Sequence, residues 1–322
     1  MAESRTAVQD VKHPLLISVV VPCFNEADVL PRTYERLSKA LSALHGFRYE
    51  LLFVDDGSSD ATWDILADTA RHEPSVRAIR LSRNFGHQAA CMAGLRAAEG
   101  DAVVLIDADL QDPPELIEDM AGKWLDGWSV VSATRRRRSG ETLFKKSSAF
   151  VFYRLFNLVS DQPLALDSGD FRLLGRDVVD LLTHMREKDL FLRGTVSWFG
   201  LPETTVEYDR DPRLAGASKY TLPRMLSLSR RGLVANSAAP LRLPTYLGAA
   251  AIVVGTGVAL LRRDPRPAVA AAAFGAQALA IGVLGEYLHA VFRQVQGRPD
   301  YVVAARLEPV PHPAPEPKGA AA

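Results

Sequence analysis

Apolar, mostly β-branched runs alternate along the first 135 positions with stretches whose apolar residues recur every three or four places. Leu15–Val21 predicts a first strand ended by Pro22, and Cys23–Glu26 turns into a helix with Val29, Leu30, Tyr34, Leu37 and Leu41 on one face. Tyr49–Val54 predicts a second strand, stopped by Asp55-Asp56-Gly57-Ser58-Ser59-Asp60, with a helix through about Arg71 behind it. Val76–Leu81 predicts a third, and Ser82–Gln88 leads from it into a helix reaching about Ala98. Val103–Ile106 predicts a fourth strand, which ends in carboxylates before Pro113 and Pro114 open the next helix. Ser129–Ala133 predicts a fifth, ending at Thr134 and Arg135. Strands alternating with helices across short loops imply an α/β fold with a mostly parallel, doubly wound sheet.

Beyond Arg135 the pattern changes. Thr142–Val159 sets Leu143, Phe144, Phe150, Val151, Phe152, Leu155, Phe156 and Leu158 around Lys145 and Lys146. It reads equally as a helix lying in a membrane interface and as an ordinary core helix. Asp167–Leu174 predicts a strand and Arg176–Met185 a helix, while Val196–Tyr208 is strand-like. Arg213–Tyr220 is a basic loop, and Leu222–Val234 a second amphipathic segment.

Leu243–Leu261 is about 19 residues without a charge, long enough at about 29 Å to cross a hydrocarbon core of about 30 Å. Pro267–Phe292 is interrupted only by Glu286 and His289. With Arg262-Arg263-Asp264-Pro265-Arg266 as connector, the two segments predict a transmembrane hairpin over 243–292, rich in Gly and Ala for close contact. Basic residues flanking the hairpin outnumber those of its connector, which favours cytoplasmic termini. The Pro/Ala-rich tail within 293–322 is expected to be disordered from about Val303.

Composition narrows the classes. Lys+Arg and Asp+Glu are both 38, so no net charge draws the chain to nucleic acid. Two cysteines, Cys23 and Cys91, cannot form a disulfide framework, and a reduced, intracellular setting is the default for the globular part. The polar segment 1–14 has no apolar h-region, so the first domain is expected to stay on the side where it is made. Neither Gly-x-Gly-x-x-Gly nor a P-loop lysine is present to cradle phosphates.

Candidate chemistry gathers at the predicted strand ends: Asn25/Glu26, Asp55/Asp56, Arg83/Asn84 and Asp107/Asp109. Strand carboxyl ends are where open α/β sheets place ligands. An isolated Asp-x-Asp is more often a helix cap and a solvated strand end. At such a rim it suits Mg²⁺ or Mn²⁺, which asks the protein for one or two carboxylates and keeps water or phosphate elsewhere.

Taken in order, Val21-Pro22-Cys23-Phe24-Asn25-Glu26, Val54-Asp55-Asp56-Gly57-Ser58, Ser82 through Gln88, Asp107 through Pro114, Asp170-Phe171-Arg172 and Arg213 through Tyr220 resemble the family 2 glycosyltransferases of the GT-A fold. Within that family the likeness is to polyprenyl-phosphate glycosyltransferases. It covers about residues 17–220, and the hairpin matches the two-helix anchor of bacterial members. The resemblance implies a GT-A domain over 15–220 and a juxtamembrane segment over 221–242. It implies a donor nucleotide on Pro22, Phe24, Asn25, Glu26, Asp55, Asp56, Ala108 and Asp109, with Arg135 near phosphate. It implies a metal on Asp107, Asp109 and Gln111, and a catalytic group of Asp170, Arg213 and Lys219. Asp170 is expected either as a base or as an orienting residue. His87 is expected to bond a neighbouring loop.

The expected activity is metal-dependent, inverting transfer of one sugar from a nucleotide diphosphate sugar to polyprenyl phosphate, serving cell-envelope glycan modification. UDP-glucose is the first expected donor and GDP-mannose the second. The protein is expected to be integral to the membrane, in contact with its lipids, with its catalytic domain on the cytoplasmic face. The Gly/Ala-rich hairpin permits a homo-oligomer. The alternatives are a processive polysaccharide synthase, whose Gln-x-x-Arg-Trp motif is not seen here, and an inactive membrane-anchored scaffold.

Overall fold

The computed structural model describes residues 14–135, 168–187, 191–208, 250 and 266–308. Strands β1 (Leu15–Cys23), β2 (Phe47–Asp55), β3 (Val76–Leu81) and β4 (Ala102–Leu105) form the centre of one sheet. Helices α1 (Leu30–Ser42), α2 (Thr62–His72) and α3 (His87–Ala97) connect them. A 3₁₀ turn at Pro114–Leu116 and helix α4 (Ile117–Leu125) lead to β5 (Val130–Arg135). There follow β6 (Ser168–Gly175), α5 (Arg176–His184), α6 (Leu192–Trp198) and β7 (Glu203–Tyr208). Helix α7 (Arg266–Val295) and β8 (Val303–Leu307) come last.

Successive strand residues point to opposite faces, so each run feeds two cores. Val19 and Val21 pack with Leu30, Leu37 and Leu41 of α1 and Ile117 and Met120 of α4. Val20, Leu52 and Val54 pack with Leu95 of α3, Val178 and Leu182 of α5 and Val196 of α6. A sheet buried on both faces explains why β1 to β4 read as continuous apolar runs rather than alternating ones.

The sheet is mixed, with six strands running one way and β6 and β8 against them, in the order β7-β5-β6-β4-β1-β2-β3-β8. β6 lies antiparallel between β4 and β5, with Leu173 opposite both Val104 and Val131. It starts at Ser168 opposite Thr134, where β5 is ending, and therefore runs back down the sheet. Hydrophobic periodicity carries no strand direction, so it could not single out β6 as antiparallel.

The stretch Val196–Tyr208 divides: its first residues complete α6, Gly200 turns the chain at φ 63°, and only Glu203–Tyr208 is strand. Buried Leu192, Thr195 and Val196 follow helical spacing. Val303–Leu307, the first part of the tail expected to be disordered, forms β8 antiparallel to β3, and 309–322 lie outside the described residues. Val303, Ala305 and Leu307 turn their half-buried side toward the domain, and Glu308 meets Arg77 Nε at 2.7 Å. A five-residue alternation inside a Pro/Ala-rich tail is too short for composition to reveal.

Of the expected hairpin, Leu243–Leu261 falls outside the described residues except for Ala250, as do the segments 142–159 and 222–234. Within α7, Ala273–Val295 is long and apolar enough to cross a membrane, and none of its apolar window is buried against the rest of the protein. Phe274, Ile281, Leu284, Leu288 and Phe292 are all exposed.

Gly94 lets α3 lie directly on β1, because a Cβ there would fall 2.2 Å from Cγ1 of buried Val20. Gly94→Ala is therefore expected to destabilise the domain by about 1–3 kcal/mol through overpacking. Denaturant unfolding checks this, and unchanged stability would mean the helix does not pack so closely.

Candidate active site

Parallel strands bring their carboxyl ends to one rim, and the turns there are fastened to each other. Asn25 takes a left-handed conformation at φ 53°, which Asn tolerates better than most residues. Its N–H donates to Ser58 Oγ at 2.9 Å, and its Oδ1 accepts from Ser59 N–H at 2.9 Å. Glu26 N–H donates to Thr62 Oγ1 at 2.9 Å. The ends of β1 and β2 thus form one unit.

The adjacent aspartates do different work. Asp55 is fully buried, and its Oδ1 accepts Ser58 N–H at 2.9 Å. Its Oδ2 accepts no hydrogen bond and lies 3.4 Å from Arg80 Nε. Asp56 accepts Phe85 N–H at 2.7 Å and Gly86 N–H at 2.9 Å, so it shapes the loop after β3. Burial raises the Asp56 carboxyl, and those two N–H groups oppose the rise. Gly57, at φ 69°, lets this loop close, since a Cβ there would be 2.4 Å from the Arg83 carbonyl carbon.

Beyond β4 the chain folds back sharply. Thr33 Oγ1 donates to Ala108 O at 2.7 Å, Leu110 sits at φ 55°, and Asp109 Oδ1 accepts Gln111 N–H at 3.2 Å. Buried Asp112 accepts the Tyr208 hydroxyl. These restraints leave Asp107 and Asp109 side by side at the rim, both partly open to solvent. Burial pushes the Asp107 carboxyl up to about 6; His87 opposes the rise, and Asp170, Asp109 and Asp112 add to it.

β6 passes Arg172 opposite Leu105, which sets Asp170 over the end of β4. Arg193 Nε donates to Asp170 Oδ1 at 2.6 Å and Arg193 Nη2 to Oδ2 at 2.9 Å. His87 Nε2 lies 3.4 Å from Asp170 Oδ2, 3.7 Å from Asp107 Oδ1 and 3.6 Å from Cys91 Sγ. Burial would raise the Asp170 carboxyl, but His87 and Arg193 together hold it well below its usual value. Cys91 first, then Asp170 and Asp107, raise the His87 imidazole against the pull of burial. A carboxylate so held is a weak proton acceptor.

Of the expected site residues, Asp107, Asp109 and Asp170 meet at the rim. Pro22 is buried at the end of β1, while Phe24, Glu26 and Gln111 are half-buried beside it. Ala108 is buried and contributes its backbone turn. Arg135 closes β5 opposite Tyr208, and Arg213 and Lys219 lie outside the described residues. His87, expected to bond a neighbouring loop, faces Asp107 just beyond β4 and Asp170 of β6. Arg193 was not singled out from sequence, because its helix is too short to show a clear period.

Hard carboxylate oxygens at Asp107 and Asp109 suit Mg²⁺ or Mn²⁺. Among the described residues no group of three His, Cys, Asp or Glu is arranged to hold an ion without outside ligands. That fits an ion completed by water and phosphate oxygens.

Residues 18–182 match glycosyl transferase family 2. The chain is 44% identical over 301 residues to an uncharacterised glycosyltransferase of Bacillus subtilis, covering 89% of this chain and 92% of that one. It is 37% identical over 300 residues to the prophage bactoprenol glucosyl transferase homologue of Escherichia coli, covering 89% and 98%. Among solved structures, the glucosyl-3-phosphoglycerate synthase of Mycobacterium tuberculosis, in complex with Mn²⁺, UDP-glucose and phosphoglyceric acid, is similar at TM-score 0.47 and 21% identity. That match covers 68% of this chain and 78% of that one.

In metal-free buffer, Asp107→Asn is expected to raise the melting temperature at about pH 8, with the gain shrinking toward about pH 4. The folded protein keeps a proton on Asp107 up to about 6, while the ordinary value is 3.8. Ionising the native carboxyl therefore lowers stability as pH rises through that window. A variant no more stable than the native protein at about pH 8 would contradict this assignment.

Proposed function

The chain belongs to glycosyl transferase family 2, and from that premise we propose that it moves one sugar from a nucleotide diphosphate sugar to polyprenyl phosphate at a membrane surface. The observation that carries the acceptor is where α7 arrives. Gln294 Nε2, in its last turn, donates to Arg186 O at 2.6 Å, just before the segment leading into α6. Ser82 N–H donates to Val302 O at 2.8 Å, at the loop that Asp56 holds. An apolar helix is thus fastened to two segments bordering the rim that carries Asp107 and Asp170, within reach of a lipid headgroup.

A lipid monophosphate is already ionised near neutral pH, so the reaction asks little of a general base. It asks for stabilisation of the departing nucleoside diphosphate and for cations that bring two anions together. Asp107, Asp109 and Gln111 would hold Mg²⁺ or Mn²⁺, which when bound would supply Lewis-acid stabilisation of the leaving group. Asp55 Oδ2, buried and accepting no hydrogen bond, offers an acceptor for an N–H of the nucleobase. Arg135, Arg213 and Lys219 supply positive charge to the phosphates. Asp170 orients its neighbours rather than taking a proton. In-line attack gives an inverting transfer.

UDP-glucose is the first donor and GDP-mannose the second, the order following from the bactoprenol glucosyl transferase names of the relatives. In this reading α7 is one of two membrane helices and the catalytic domain faces the cytoplasm.

Membranes containing the protein, supplied with Mg²⁺ and polyprenyl phosphate, are expected to form a lipid-linked sugar from a UDP- or GDP-sugar. EDTA abolishes it, and Asp109→Ala lowers it by roughly 100-fold or more. No product with any donor, or full activity in Asp109→Ala, would refute the proposal.

A further inference from the structure

The first turns of α3 and α6 meet over the end of β6, and one carboxylate joins them. Both oxygens of Asp170 are taken by the Nε and Nη2 groups of Arg193, at 2.6 and 2.9 Å. One of those oxygens also faces His87 Nε2 at 3.4 Å, the same nitrogen that lies 3.7 Å from Asp107. A second tie runs alongside, from Leu192 N–H to Gln88 Oε1 at 3.2 Å. Asp170 is only 19% exposed, so few waters compete for it.

We propose that Arg193 is a positioning residue for sugar transfer, holding the Asp170 carboxylate in one orientation against His87 and thereby fixing the geometry around Asp107. The inference rests on the reading of this rim as the transfer site. A single hydrogen bond would leave the carboxylate free to turn about its last torsion. Two parallel bonds from a planar fork do not. Lysine offers a point charge without that fork, so it cannot reproduce the restraint.

There is also an electrostatic reason for a guanidinium here. Asp107, Asp109 and Asp170 share one rim, and a fixed cation on the outer side of Asp170 keeps that carboxylate from competing for the ion expected between the other two. Arg193 acts through Asp170, whose two oxygens it holds, and loss of the fork leaves every proposed donor contact in place.

The test combines kinetics of polyprenyl-phosphate glycosylation with calorimetry of Mn²⁺ and UDP or GDP, whichever the native protein binds. Arg193→Gln is expected to keep nucleotide binding, to leave the donor KM within about threefold, and to lower kcat roughly 100-fold. Arg193→Lys recovers only part of that loss. Adding Asp170→Asn to Arg193→Gln causes no further fall beyond Asp170→Asn alone, because the two side chains act as one unit. Losses that multiply, or a fall in rate that comes with lost nucleotide binding, overturn the inference and leave the functional reading standing. A native protein that transfers no sugar from any donor overturns that reading and this inference together.

Discussion

Six aspartates, Asp55, Asp56, Asp107, Asp109, Asp112 and Asp170, stand at or near one edge of a single sheet, and like charge at such a density opposes folding. Two unit charges 4 Å apart interact by about 4 kcal/mol at an effective dielectric of 20, so each carboxylate needs an answer. Asp55 has Arg80, Asp56 has two backbone N–H groups, Asp112 has the Tyr208 hydroxyl, and Asp170 has Arg193 and His87. Asp107 and Asp109 remain partly open to solvent. The edge thus mixes carboxylates whose hydrogen bonds are filled within the fold with carboxylate oxygens, on Asp55, Asp107 and Asp109, that keep accepting capacity.

The far end of the sheet shows the contrasting use of charge. Glu50 accepts Ser18 Oγ–H and Glu99 N–H on one oxygen and Arg77 Nη1 on the other at 2.8 Å. Arg77 then reaches Glu308. Every group in that network has a partner, and its effect is to fasten β8, and with it the chain leaving α7, to the domain. Arg96 adds to this through Asp300 at 3.5 Å and the Tyr301 ring at 5.5 Å. The apolar helix is therefore fastened to the domain on its far side as well as beside the rim.

Much of the fold was legible along the chain. β1 to β5 and α1 to α4 announced themselves because sustained apolar runs and helical spacing are local signals, and Pro22, Gly57 and the Pro113-Pro114 pair punctuate them. β6, α6 and β8 were harder for separate reasons. Strand direction depends on the partner that a strand finds, here β4 and β5, and not on its own spacing. Leu192–Trp198 spans about two turns, too few for a period to stand out from the β-branched residues around it. Val303–Leu307 is an edge strand whose order comes from pairing with β3 and from the Arg77–Glu308 ion pair beside it.

By itself the sequence determined that carboxylates would sit where strands end, because an apolar run stops where polar residues begin and parallel strands stop on the same side. It also determined the family, through an ordered set of short motifs. Only the tertiary structure decided which carboxylates are already satisfied. Asp170 and Arg193 are 23 residues apart, and Asp170 and His87 are farther still. Such pairings arise when helices distant in the chain dock on the same face of a sheet, and a sequence read one element at a time holds no record of them.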